Sequence, residues 1–390
     1  MLFTLLPMAL GVLSHFLFYR WGVACWPRLA RFRVPYIAFV VVLLVASPLL
    51  RWLVVRRHML GLAPIHTVLG FEAITILFVM VPLAIIHGIS LLVARRSPSP
   101  QSSSPQSSSP ALPLSRRQVI EAAAGSTVLA ATGSMLGWGI VRGRHAFQID
   151  EVVVKIAGLP RVLDGYTIAQ VSDIHVGTYI GEREIAEGFA RIAEIRPDLV
   201  VATGDLIDFD AALAPLIARK LADLRARDGV AAILGNHDYY AGASQVVDAL
   251  RAAGIEALVN GSKHLRAGDG GGFALLGVDD LRAPWHGGAG PILAGADTRL
   301  PPDAPRILLS HQPSTIDLWA GRVALQLSGH THGGQINPGF VPASFVMKYV
   351  AGRYDVRGTT LYVNRGFGTV GPPARVGAPP EVTKVVLVSA

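Results

Sequence analysis

The first 145 residues contain four long stretches without charge, and a chain built this way can bury them only in lipid or against one another. Residues 1–19, 34–50, 73–94 and 122–141 hold no Asp, Glu, Lys or Arg. Each approaches the ~20 residues that a helix needs to cross hydrocarbon while satisfying its own backbone groups. Trp21, Trp26, Trp52 and Trp138 stand at or near their ends, where indole rings favour the membrane–water boundary. The first or the fourth stretch, taken alone, fits a buried core helix or a signal peptide. Four in succession read as an all-α transmembrane region, with three helices in residues 1–94 and a fourth, or a signal anchor, in residues 119–141. Residues 95–118 between them form a Ser/Pro-rich linker, with Gln-Ser-Ser-Ser-Pro twice and too few apolar groups to fold. The linker ends in Ser115-Arg116-Arg117-Gln118-Val119-Ile120, which resembles a twin-arginine export signal; the alternative is a plain positive flank before a helix.

Charge divides along the same line. Residues 1–145 carry thirteen Arg, no Lys and two acids (Glu72 and Glu121), a net +11, whereas the remaining 22 basic and 25 acidic residues give −3. The overall +8 therefore belongs to the apolar half and does not point to nucleic acid. With four spans, the loops holding Arg20, Arg28, Arg31 and Arg33, and Arg95, Arg96, Arg116 and Arg117, share one side against five arginines on the other. The excess of positive charge places that side in the cytoplasm and the large C-terminal region outside; one span fewer reverses the result. The only cysteine, Cys25, excludes an intramolecular disulfide framework and a thiolate zinc site.

From residue 147 the pattern changes to short β-branched runs alternating with amphipathic stretches, the mark of an α/β domain with two packed sheets. Strands are expected at 151–156, 167–171, 199–202, 230–234, 273–278, 306–309, 324–327, 360–363 and 382–388. Helices are expected at 182–194, 211–227, 244–253 and 314–319. The informative residues follow the strands: Asp173-Ile174-His175, Gly204-Asp205, Gly235-Asn236-His237-Asp238, Ser310-His311 and Gly329-His330-Thr331-His332. Asp173, His175, Asp205, Asn236, His311, His330 and His332 offer seven oxygen or imidazole ligands. Seven are too many for one tetrahedral zinc. They suit two divalent ions about 3.5–4 Å apart sharing a carboxylate. Asp-x-His alone is common and Gly-Asp after a strand is usually a turn, while Gly-Asn-His-Asp is rarer and Gly-His-Thr-His rarer still; five such motifs in this order, each after a strand, are not common.

This set resembles the five ordered motifs of the calcineurin-like metallophosphoesterase superfamily over about residues 148–390. Within it, the membrane-anchored arrangement and the segment around Asn364-Arg365-Gly366-Phe367-Gly368, Pro372-Pro373-Ala374-Arg375 and Pro380-Glu381-Val382 look like a bacterial membrane-anchored phosphodiesterase group. The resemblance implies a four-layer α/β-β/α sandwich, preceded here by the transmembrane region, with residues 147–390 as the catalytic domain. It implies two divalent ions, each drawn from Mn, Fe, Zn or Co. One is held by Asp173, His175, Asp205 and His332, the other by Asp205, Asn236, His311 and His330, with Asp205 bridging. His237 is then the candidate to protonate a leaving oxygen or hold the phosphate, with Asp238 expected to orient it and raise its pKa.

The leading expectation is a multi-pass protein of the bacterial cell membrane, its catalytic domain on the extracytoplasmic side, hydrolysing a phosphodiester or pyrophosphate of a phosphorylated small molecule or lipid. The alternatives are a metal-dependent nuclease, which the −3 balance disfavours, and a non-catalytic membrane sensor or scaffold, which the intact ligand set disfavours. Asp208 reads equally as a partner of the site or as a helix N-cap. Arg375 reads as one half of a structural salt bridge rather than a phosphate contact. Residues 268–272 read as a hairpin loop, and His264 and His286 as surface residues.

Overall fold

The computed structural model describes residues 2–57, 59–96, 116–297, 300–339 and 343–390; most of the Ser/Pro-rich linker lies outside them. Two compact units emerge, one of residues 1–52 and 62–137, the other of residues 53–61 and 138–390.

The first unit consists of long helices: α1 (Leu2–Cys25), α2 (Arg33–Arg57), α3 (Ala63–Arg96) and α4 (Arg116–Val141). The shortest has 24 residues, about 36 Å at 1.5 Å per residue. Ile76, Val79, Met80 and Leu83 of α3 are buried against Phe18 and Trp21 of α1 and Val128 of α4. The opposite habit marks α2, where Val34, Val42 and Val45 are 75%, 62% and 62% exposed. Apolar side chains turned outward at many positions along a helix suit a lipid environment. Among the described residues, Pro27–Val54 and Val119–His145 are long and apolar enough to cross a membrane.

The second unit contains twelve strands among the described residues: β1 (Gln148–Ile156), β2 (Tyr166–Val171), β3 (Leu199–Thr203), β4 (Val230–Ile233), β5 (Glu256–Ala257), β6 (Gly261–Leu265), β7 (Phe273–Gly277), β8 (Arg306–Leu309), β9 (Leu325–Ser328), β10 (Gly352–Val356), β11 (Thr359–Val363) and β12 (Glu381–Ser389). One mixed sheet runs β1-β12-β2-β3-β4-β5, the other β10-β11-β9-β8-β7-β6. Within the first, β2 to β5 are mutually parallel, as are β11, β9, β8 and β7 within the second.

Alternation along the strands explains the layering, since successive side chains leave opposite faces. Ile168, Leu199 and Val201 point to the inter-sheet core, where they meet Phe273, Leu275, Ile307, Leu309, Leu325 and Leu327 of the other sheet. Ala169, Val171, Val200 and Ala202 point the other way, beneath α5 (Glu182–Ile195), α6 (Ala214–Ala222) and α8 (Ala243–Ala252). The outer face of the second sheet buries Leu276, Val278 and Leu308 under Leu293, Ala296 and Trp319. Helix α5 faces the sheet with Ile185, Phe189 and Ile192, one stripe at helical spacing. This is the four-layer α/β-β/α sandwich.

Three details differ from the sequence expectation. The helix expected over 211–227 is a 3₁₀ turn at Ala211–Leu213 followed by α6, because Pro215 fits only the first turn of a helix. Strands β5, β6 and β10 add to those expected: β5 has two residues, and β6 and β10 are edge strands rich in polar residues. The motif Gly235-Asn236-His237-Asp238 opens a short helix, α7 (Asn236–Ala241). Residues 268–272 do join the antiparallel pair β6 and β7.

Candidate metal centre

The seven candidate ligands lie just past the C-terminal ends of parallel strands, four after β2, β3 and β4 of one sheet and three after β8 and β9 of the other. Ligands collect at this edge in α/β sheets because the loops there converge. The local backbone is unusual. Asp173, His175, Asp205, His330 and His332 all have positive φ, between 52° and 72°. For L residues other than Gly this region costs about 1–2 kcal/mol, and such strain clusters at functional sites. It makes the chain double back at each strand end, so that these side chains point inward. Two glycines permit the crowding. A Cβ at Gly235 would strike the carboxylate of Asp205, and one at Gly329 would strike Ser172 and Asp173.

The side chains form two clusters. In the first, His332 Nε2 lies 3.1 Å from His175 Nε2 and 3.4 Å from Asp173 Oδ1. In the second, His311 Nε2 lies 3.2 Å from Asp205 Oδ2 and 3.2 Å from His330 Nδ1. Asp205 Oδ2 is also 3.6 Å from His175 Nε2, so one carboxylate oxygen reaches both clusters. Each cluster brings three ligand atoms within 4.8 Å of one another, the reach of a single ion.

The surrounding bonds orient these groups. His311 Nδ1–H donates to the Thr203 carbonyl at 2.8 Å, which fixes the ring with Nε2 facing Asp205. The backbone N–H of His330 donates to both oxygens of Asp173, at 3.0 and 2.9 Å. Burial, then the neighbouring charge of His311, press His330 down to about 3, so its ring is neutral, the form that binds metals. Asn236 Oδ1 is buried with no hydrogen-bond partner. A buried amide oxygen left unpaired is costly, and a cation is a partner it would accept. The donor set, all imidazole, carboxylate and amide, thus fits divalent ions.

Three assignments need correcting. Asp238 does not orient His237. Its carboxylate accepts backbone N–H groups from Leu206 at 2.9 Å, Ile207 at 3.2 Å and Gly235 at 2.8 Å, tying two site loops together. His237 Nδ1–H instead donates to Asp208 Oδ1 at 2.9 Å, and the N-cap of the following 3₁₀ turn is Asp210. Although burial lowers the pKa of His237, the charge of Asp205 and the bond to Asp208 outweigh it and raise the pKa. Among the described residues Arg375 has no salt bridge: it is 1% exposed and donates to the carbonyls of Gly368, Gly366, Arg365 and Ala378 at 2.6 to 3.0 Å. Burial draws its pKa down to about 9. His286, read as a surface residue, is half-buried and packs against Tyr240.

The site lies within a stretch that known proteins share. A family model described as calcineurin-like phosphoesterase matches residues 166–334. An uncharacterized metallophosphoesterase of Bacillus subtilis is 33% identical over 290 residues, covering 71% of this chain and 98% of its own. The chain belongs to the calcineurin-like phosphoesterase family. A Danio rerio relative, described as a transmembrane protein with metallophosphoesterase domain, is 33% identical over 296 residues, 70% of this chain and 66% of the relative. The Bos taurus protein of the same description is 33% identical over 269 residues, 65% of this chain and 60% of the relative. The family motifs are therefore carried here on a domain that brings together the candidate ligands Asp173, His175 and His332, and Asp205, His311 and His330, preceded by helices that could span a membrane.

Proposed function

We propose that this chain is a membrane-anchored phosphoesterase working with two divalent ions, Mn, Fe, Zn or Co. The observation that carries this reading is Asp205, whose Oδ2 lies within 3.6 Å of His175 on one side and 3.2 Å of His311 on the other. Asp173, His175, Asp205 and His332 would hold one ion, and Asp205, Asn236, His311 and His330 the other. Ions bound there supply water activation at neutral pH and offset the charge of a phosphate under attack.

The chain's own residues do the rest. His237 stands beside the clusters with its backbone N–H on Asp205 Oδ1 at 2.7 Å. Because Nδ1–H is given to Asp208, Nε2 is the nitrogen left to pass a proton to a departing oxygen. Membership of the family and the four N-terminal helices support a multi-pass membrane protein. The arginine distribution supports a catalytic domain on the extracytoplasmic side of a bacterial cell membrane. Such anchoring favours a phosphodiester or pyrophosphate on an amphiphilic or small-molecule substrate over nucleic acid.

The test uses the full-length protein in detergent with bis-p-nitrophenyl phosphate, after stripping and after reloading with Mn²⁺. Metal-dependent turnover that Asp205→Asn abolishes is expected. Turnover that is absent, or that survives this substitution, removes the reading.

A further inference from the structure

The loop after β7 brings a cationic side chain to the rim of the site, and its ends are fastened. Asp279 accepts from the Tyr239 hydroxyl at 2.5 Å and from the Gly290 N–H at 3.1 Å. Asn260 accepts the N–H groups of Asp279 and Ile292, at 3.0 and 2.8 Å, and donates to the Gly290 carbonyl at 2.8 Å. Buried Asp280 takes the Gln312 amide on both oxygens at 3.0 Å and the Arg282 N–H at 2.7 Å, which ties Arg282 to the neighbour of His311. A loop pinned at this many points presents its side chains at fixed positions.

The Arg282 guanidinium is half-buried and donates to the Tyr240 hydroxyl at 3.0 Å. Among the described residues no carboxylate lies within ion-pair distance of it. The Tyr240 ring in turn lies 5.0 Å from His237 and 5.1 Å from His286. The guanidinium therefore stands on the His237 side of the site. A half-desolvated cation with only a neutral partner is poorly compensated. Phosphate oxygens would compensate it, since a guanidinium offers paired donors matched to them.

We infer that Arg282, positioned by Tyr240, is an anion-binding residue that takes phosphate oxygens on the His237 side of the site. The inference rests on the phosphoesterase reading for its ligand, and on the loop geometry for its residue. Tyr240 acts through Arg282 and is a positioning residue.

The experiment titrates inorganic phosphate into Mn²⁺-loaded full-length protein by calorimetry, with bound metal measured separately. Arg282→Gln is expected to weaken phosphate binding about tenfold with unchanged metal content, Arg282→Lys less, and Tyr240→Phe least. The KM for bis-p-nitrophenyl phosphate should rise in parallel in Arg282→Gln, with kcat less affected. An unchanged phosphate Kd in a metal-replete Arg282→Gln or Arg282→Lys protein overturns the inference, as does wild-type protein that binds no phosphate. Arg282-dependent phosphate binding without hydrolysis of any ester would instead sink the phosphoesterase reading alone.

Discussion

Asp208 Oδ1 lies 2.9 Å from His237 Nδ1 and 3.7 Å from His175 Nδ1, so one carboxylate addresses both a candidate proton donor and a candidate metal ligand. If Asp208 fixes the His237 tautomer, its loss should matter most when the leaving oxygen needs a proton. Asp208→Ala is expected to lower kcat on an alkyl phosphodiester by about 10²-fold, the scale of general acid catalysis. On a p-nitrophenyl ester the loss should be much smaller. Equal losses on both substrates would deny His237 the acid role.

Asp238 has a different task. Its two oxygens receive three backbone N–H groups, from Leu206, Ile207 and Gly235, in a buried setting. Asp238→Ala strands these donors and should cost about 3 kcal/mol of unfolding free energy. Denaturant titration of the full-length protein measures it, and a cost under about 1 kcal/mol would contradict the clamp.

Positive φ at the ligands predicts a trade between stability and function. His330 is the ligand with the largest φ, 72°, and is only half-buried. Gly accepts this conformation and Ala does not, so His330→Gly should be more stable than His330→Ala by about 1 kcal/mol, with both losing metal affinity. Unfolding curves recorded in chelator decide the sign.

Arg375 is buried among carbonyls, each of which needs a donor in place. An ammonium has three donors and cannot reproduce a planar fork reaching four carbonyls. Arg375→Lys should destabilise the domain by about 2–4 kcal/mol through unpaired polar groups. A melting temperature within 2 °C of wild type would show that the guanidinium is dispensable.

Metal removal should also be visible without any substrate. The ligands come from both sheets, so ions that bind only the folded form stabilise it by mass action. At metal concentrations about 100-fold above Kd the gain is about 2.7 kcal/mol per site. Chelator should lower the melting temperature of wild type, while Asp205→Asn should blunt that response. Superimposed melting curves with and without chelator would argue against resident ions.

The seven candidate ligand positions stand out in the sequence because the strands beneath them are continuous apolar runs that stop abruptly at polar motifs. Val200 and Val201 and then Asp205, or Leu308 and Leu309 and then His311, show the pattern. Adjacency in sequence pairs Asp238 with His237, but adjacency in space does not. Residues 237 and 238 sit on α7, and consecutive residues on a helix diverge by about 100°. The left-handed conformation of Asp173, His175 and Asp205 leaves only a weak signature in residue type, since Asp and His adopt it more readily than most residues but far less readily than glycine. The burial of Arg375 was hidden for a related reason: its partners are backbone carbonyls, which every residue possesses. Edge strands β6 and β10 escaped because polar edges serve solubility, not the core.

Strand β12, Glu381–Ser389, lies between β1 and β2, and among the described residues β1 pairs with no other strand. More than two hundred residues of chain separate β1 from the partner that completes it. During synthesis, therefore, Gln148–Ile156 leaves the ribosome long before its hydrogen-bonding partner exists. Until residue 389 is free, both β1 and the flank of β2 present unpaired backbone, the kind of surface that recruits chaperones or misassembles. The order of synthesis thus sets a late closing step with high contact order and slow folding. A C-terminal truncation into β12 should be far more damaging than its distance from Asp205 suggests.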